Sequence, residues 1–257
     1  METRIGALTV ELSGAENSKF TAPLLLLHGL WCGADVWRRY AGFLAHRGWA
    51  CHALNLRGRR DAPAARQLED YELDVRQAIA AMSGPPVIVG HDVGGLLALR
   101  AAAAARAVVA LAPYVPQPLA APTRCVRGTA RLALLLGRAV RAPRARGRRL
   151  YIGDSALSLV SEPSAVLRAL MHDAIELAAT ATPTLIVVGG RDPFVPITAA
   201  NTLARHLGAT LRVDAEAGHA LPVEVGWERR VGEMHRWLIQ QLGDPLLALR
   251  EESEEDD

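Results

Sequence analysis

Apolar and polar residues follow two rhythms along this chain, and their alternation predicts the order of its elements. Leu8, Val10 and Leu12 alternate with Thr9 and Glu11, which predicts an edge strand. Pro23 to Leu27 is a short apolar run, the signature of a strand buried on both faces of a parallel sheet. Val36, Tyr40, Phe43, Leu44 and Arg47 then fall at helical spacing over 35–47, and Gly48 closes that helix before a strand over 49–54. The same reading gives a helix over 69–82, a strand over 86–89, a helix over 96–106 and a strand over 107–112.

From Pro113 to Thr182 the rhythm lapses. Prolines at 113, 116, 118 and 122 open this stretch, and a leucine-rich helix is expected near 129–140. Strands over 183–188 and 210–213 and helices over 198–207 and 227–242 restore the pattern. The expected fold is α/β, a doubly wound, mostly parallel sheet with an inserted helical lid. Residues 1–113 and 181–250 make the core, 114–180 the lid and 251–257 an acidic, disordered tail.

Composition narrows the setting. Half of the 257 residues are hydrophobic, enough for a sizeable core. The first twenty residues lack the apolar segment of a signal peptide, and no run is long enough to span a membrane. Cys32, Cys51 and Cys125 show no metal-ligand spacing, so reduced thiols and a cytoplasmic location are expected. Six tail acids bring an otherwise +8 chain to its net charge of +2. Lys19 is the only lysine, and a GC-rich genome explains the arginine excess without a nucleic-acid surface. Neither nucleic acid nor membrane is expected as a partner, and oligomeric state is not legible.

The most informative motif is Gly90-His91-Asp92-Val93-Gly94-Gly95, between a β-branched strand and an alanine-rich helix. It reads as a nucleophile elbow with aspartate where serine usually stands. Asp192, in Gly189-Gly190-Arg191-Asp192-Pro193, and His219, in Ala217-Gly218-His219, follow in the order nucleophile, acid, histidine. Each lies just after a predicted strand. His46, His52, His172, His206 and His235 lack paired metal spacing, so no metal and no cofactor are expected. His91 is expected to point into the fold or tune the elbow.

This order, with Leu27-His28-Gly29-Leu30, Gly33-Ala34-Asp35-Val36-Trp37 and Asn55-Leu56-Arg57-Gly58, resembles the α/β-hydrolase family over nearly the whole chain. Aspartate at the elbow is similar to epoxide hydrolases and haloalkane dehalogenases. A carboxylate attacking a carbonyl would form a high-energy anhydride, whereas at a saturated carbon it forms an ester that water can cleave. The resemblance therefore implies a covalent Asp92 ester, hydrolysed by water that His219 activates while Asp192 orients the imidazole. It also implies an oxyanion hole formed by the Leu30 and Val93 amides, with His28 positioning the loop.

An opened epoxide needs a proton, which the resemblance assigns to lid tyrosines, with Tyr151 first and Tyr114 second. A departing halide needs N–H donors, and Trp31 is the candidate. Val93 stands where related dehalogenases place tryptophan, and Trp31 where epoxide hydrolases place proline. Epoxide opening is the leading expectation and dehalogenation an alternative. A cofactor-free lyase or cyclase, a non-catalytic binding protein, and an esterase whose serine became Asp92 remain further alternatives. Arg124, Arg127, Arg131, Arg138, Arg141, Arg144, Arg146, Arg148 and Arg149, with no acid between Val93 and Gly153, point to a small-molecule substrate that is anionic or to a solvated basic face.

Overall fold

A computed structural model describes residues 1–14, 18–60, 62–120, 133–142, 144–145, 148–149, 157 and 159–243. Eight strands form one sheet in the order β1-β2-β4-β3-β5-β6-β9-β10. They are β1 (Glu2–Ile5), β2 (Leu8–Ser13), β3 (Leu24–Leu27), β4 (Cys51–Asn55), β5 (Val87–His91), β6 (Ala107–Leu111), β9 (Thr184–Gly189) and β10 (Thr210–Asp214). The β1–β2 and β2–β4 pairings are antiparallel, and every other pairing is parallel. Between β6 and β9 lies a two-residue ladder of β7 (Arg144–Ala145) and β8 (Arg148–Arg149).

Burial explains the sheet's centre. All four leucines of β3 are fully buried, and β3 sits between β4 and β5, as its unbroken apolar run implies. The expected edge strand becomes β2, but β1 lies outside it, so β2 is an inner strand. Its burial does not follow the alternation: Leu8, Thr9 and Val10 are all buried, and Glu11, Leu12 and Ser13 are all half-buried.

Among the described residues, six helices flank the sheet: α1 (Arg38–Ala45), α2 (Leu68–Ala80), α3 (Val93–Arg100), α4 (Ser164–His172), α5 (Ile197–Leu207) and α6 (Trp227–Leu242). The α6 boundaries equal the expected ones, because Val231, Met234, Trp237 and Leu238 form a continuous buried stripe at helical spacing. A 3-10 turn, Ala34–Trp37, precedes α1, and the Asn55 side chain accepts the Ala34 amide at 2.8 Å. Two loop segments distant in sequence thus meet at the carboxyl edge of the sheet. Arg57 binds Asp74 of α2 through its own amide (2.8 Å) and its guanidinium Nε (2.9 Å), fixing the loop after β4.

In the region 114–180, the described residues contain α4, a helical stretch at 133–135 and an antiparallel bridge between Val140 and Glu162. Tyr151, Cys125 and the acidic tail lie outside the described residues. Arg138 and Arg141 are exposed, Arg168 donates to the Leu134 carbonyl at 2.9 Å, and the side chains of the other seven arginines of this region also lie outside the described residues. Among the described residues, no helix is long and apolar enough to cross a membrane.

Candidate active site

Asp92 occupies the sharp turn between β5 and α3, with φ 53° and ψ −117°. That backbone is unfavourable for a non-glycine residue, at a cost of about 1–3 kcal/mol, so its surroundings must hold it in place. They do so at three points. The Asp92 amide donates to the Leu111 carbonyl (3.0 Å), and the Asp92 carbonyl accepts from Leu96 and Tyr114 (both 3.0 Å).

Missing side chains provide the room. A Cβ on Gly90 would lie 2.0 Å from the Gly94 oxygen, and one on Gly94 would lie 2.2 Å from the Leu27 oxygen. The glycines of the motif therefore let α3 start directly against the ends of β3 and β5.

The three residues expected from sequence come together. His219 Nδ1 lies 2.8 Å from Asp192 Oδ2, and both side chains are buried. Asp192 Oδ1 accepts the Phe194 amide (2.7 Å) and the Val195 amide (3.1 Å), so the turn orients the carboxylate that orients the imidazole. Burial opposes the charge on Asp192, but His219 and these amides outweigh it and hold the carboxyl below its ordinary value. Burial likewise opposes charge on His219, and Asp192 outweighs it, raising the imidazole above its ordinary value.

His219 Nε2 faces Asp92 Oδ1 at 4.0 Å. The other carboxylate oxygen, Asp92 Oδ2, accepts the Leu30 amide at 2.9 Å, and the Val93 amide also bonds the carboxylate. One oxygen thus meets the Leu30 amide, and the other faces the histidine. Burial raises the Asp92 carboxyl to about 6, against the lowering effects of His219 and the two amides.

Two further histidines brace this arrangement. His28 Nε2 accepts the Leu56 amide (3.1 Å), so Nδ1 carries the proton and donates to the Gly29 carbonyl (2.8 Å). That carbonyl belongs to the peptide whose N–H meets Asp92, and burial keeps His28 neutral. His91 points into the fold, where Nε2–H donates to the His219 carbonyl at 2.9 Å. Burial, aided by His219, pushes the His91 imidazole down to about 3, so it is a neutral strut.

The leaving-group candidates are placed differently from the expectation. The Tyr114 hydroxyl donates to the Leu170 carbonyl, tying the loop after β6 to α4 and directing its proton away from Asp92. The Trp31 indole N–H donates to the Val140 carbonyl at 2.9 Å, so it braces the 133–142 segment. Both polar tips thus meet buried carbonyls, partners that sequence spacing does not reveal.

Sequence reasoning missed Arg59, Tyr71 and Glu162, a buried polar cluster beside the Leu30 loop. It also missed Phe194, whose ring packs edge-on against His219 with centroids 5.0 Å apart. Phe194, Val115, Leu119, Val195 and Ala199 line a largely apolar cleft of about 270 Å³. The signals were faint: a buried acid in a stretch without periodicity, and an aromatic two residues after Asp192.

The sequence matches the model of the alpha/beta hydrolase family over residues 24–231. No curated protein matches it. Among solved structures, it is similar to a monoacylglycerol lipase from Paleococcus ferrophilus, at 20% identity and a TM-score of 0.68, covering 91% of this chain and 99% of that one. It is also similar to an esterase from a Rhodococcus species (20% identity, TM-score 0.67, 92% and 95% covered). A lipase-esterase related protein from Clostridium acetobutylicum gives 16% identity and a TM-score of 0.70, with 90% and 99% covered. At these identities the likeness speaks for the fold.

Proposed function

Because the chain belongs to the alpha/beta hydrolase family, a family of hydrolytic folds, we propose that it opens a strained or activated saturated carbon, with an epoxide as the first substrate class, through an ester formed on Asp92. The observation that carries this reading is the division of the Asp92 carboxylate, with Oδ2 on the Leu30 amide and Oδ1 toward His219. Occupied in this way, the backbone donors have no room for the carbonyl oxygen of a foreign ester. They are arranged for an ester of Asp92 itself.

In the first step Oδ1 attacks an epoxide carbon, the carbon–oxygen bond of the ring breaks, and the released alkoxide takes a proton. In the second, His219 Nε2 removes a proton from water, whose oxygen attacks Asp92 Cγ. Negative charge builds on Oδ2, where the Leu30 and Val93 amides meet it. Collapse breaks the Cγ–Oδ1 bond, the released alkoxide of the diol takes the proton from His219, and the second proton of the water leaves the Asp92 carboxyl to replace the one spent on ring opening. The apolar cleft beside Phe194 suits the hydrocarbon part of such a substrate.

Tyr151 is the acid proposed for the alkoxide, since Tyr114 donates elsewhere. Tyr151→Phe is expected to lower kcat on styrene oxide by about 10²-fold, the usual worth of a placed general acid, with KM little changed. A variant with unaltered kcat removes Tyr151 from the scheme. Dehalogenation is less well supported, because Val93 has no side-chain donor and the Trp31 indole is engaged with Val140.

The pH dependence follows from Asp92. Its carboxyl titrates at about 6 and attacks only when ionised, so kcat/KM should rise through an acid limb near pH 6 and level off above it. A limb near pH 4 would mean that the nucleophile is not this buried group. The test of the whole scheme is turnover of styrene oxide in ¹⁸O-labelled water. Label should enter the Asp92 carboxylate; product without solvent oxygen would favour a lyase or cyclase, and label in the diol with none on Asp92 would remove the covalent ester.

A further inference from the structure

Peptide groups on the two sides of Leu30 are held by different parts of the molecule. The Leu30 amide meets Asp92, and the next amide, that of Trp31, donates to Glu162 Oε1 at 2.6 Å. Trp31 is left-handed, with φ 59°, a conformation that costs a non-glycine residue on the order of 1 kcal/mol and persists only under restraint. The restraint comes from across the chain. The Trp31 carbonyl accepts the Val160 amide (2.9 Å), its indole reaches Val140, and its amide meets Glu162.

Glu162 is itself fully buried and held on both oxygens. Arg59 pairs with Oε1, and the Tyr71 hydroxyl donates to Oε2 at 2.8 Å. Arg59 also reaches back through Nε to the Cys32 carbonyl at 2.9 Å, closing a ring of contacts around the Leu30–Cys32 turn. A buried carboxylate with a guanidinium is a weak stabiliser compared with apolar packing, so its place beside a catalytic loop asks for another reason.

We infer that Glu162 is a positioning residue, whose carboxylate locks the Trp31 peptide so that the Leu30 amide stays aimed at Asp92. The inference rests on Leu30 serving as an oxyanion donor in the proposed reaction. Arg59 and Tyr71 keep the Glu162 oxygens in place. Val140, Val160 and Glu162, remote in sequence from the elbow, thereby set the geometry of the site.

Two double variants separate this role from mere stability. Arg59→Met/Glu162→Gln removes the ion pair but keeps an acceptor for the Trp31 amide, whereas Arg59→Met/Glu162→Met removes both. The Asp92 carboxyl, followed by ¹³C NMR, should titrate about one unit higher in the second than in the first, since it loses a hydrogen bond to its charged form. With styrene oxide, kcat should be lower by about 10- to 100-fold at similar KM, part of what a lost oxyanion donor costs. Equal Asp92 titration in the two variants overturns the inference.

Absence of styrene oxide turnover in the unmodified protein would count against the proposed function alone, because the titration decides the role of Glu162 independently. If either double variant fails to fold, Tyr71→Phe takes its place. Hydrogen exchange at the Leu30 and Trp31 amides should then quicken by about threefold or more while that of β9 holds. Unchanged exchange at both amides overturns the inference.

Discussion

Asp92→Asn is expected to lower styrene oxide turnover by about 10⁴-fold or more, as loss of a nucleophile does elsewhere, and to make the protein more stable in neutral solution. The loss follows from chemistry, because an amide oxygen does not displace an alkoxide from carbon. The gain follows from burial. The folded-state carboxyl titrates at about 6, above its ordinary value of 3.8, so the folded protein holds that proton more tightly than the unfolded chain does. The contribution of Asp92 to stability is therefore greatest below pH 4, falls as pH rises between the two values and stays reduced above pH 6.

Two units correspond to about 3 kcal/mol, and the asparagine amide keeps some of the hydrogen bonds, so a gain of roughly 1–3 kcal/mol at pH 8 is expected. Chemical denaturation at pH 8 and pH 4 measures it. A gain of the same size at both values would mean that the Asp92 charge is not its source. Asp92→Ser extends the test by vacating the backbone donors and placing a hydroxyl on the elbow. Hydrolysis of p-nitrophenyl butyrate should then exceed that of the parent, and a parent that cleaves this ester faster than the serine variant would contradict the assigned chemistry.

The second large effect belongs to His219. In His219→Gln, alkylation of Asp92 should proceed while hydrolysis of the ester slows by about 10³-fold or more, because no base remains to activate water. Styrene oxide should then leave the protein heavier by the mass of the epoxide, with the adduct on the peptide containing Asp92. Mass spectrometry of the intact protein and its fragments reads this directly. A turning-over substrate that leaves no adduct under these conditions would exclude the ester intermediate.

Local pattern carried much of the fold. The leucine run of β3 and the apolar stripe of α6 each reported its own burial, and the elbow motif announced a sharp turn. β1 escaped notice because Glu2 and Arg4 leave it half polar, and it is defined by pairing with β2. The β4 strand begins at Cys51, later than its apolar run, because Trp49 is taken up in closing α1, where its amide bonds the Leu44 carbonyl.

The candidate site was legible to the extent that its polar groups sit at strand ends. Asp92, Asp192 and His219 each follow β5, β9 and β10 in turn, so topology alone gathers them. Direction of a side chain is another matter. Tyr114 and Trp31 lie close to the site in sequence and turn their polar tips elsewhere, whereas Glu162 acts across 131 residues on the Trp31 amide. Only a folded chain defines such partners.

The contact of the Leu30 amide with the Asp92 carboxylate has a consequence for the proposed reaction. In that scheme the ester that water cleaves is anchored to the protein's own backbone. Of an incoming epoxide, only the carbon under attack and the oxygen that leaves it have to meet polar groups. Choice among substrates in that scheme falls to the walls around Val115 and Phe194, which are free to diverge while the chemistry stays fixed.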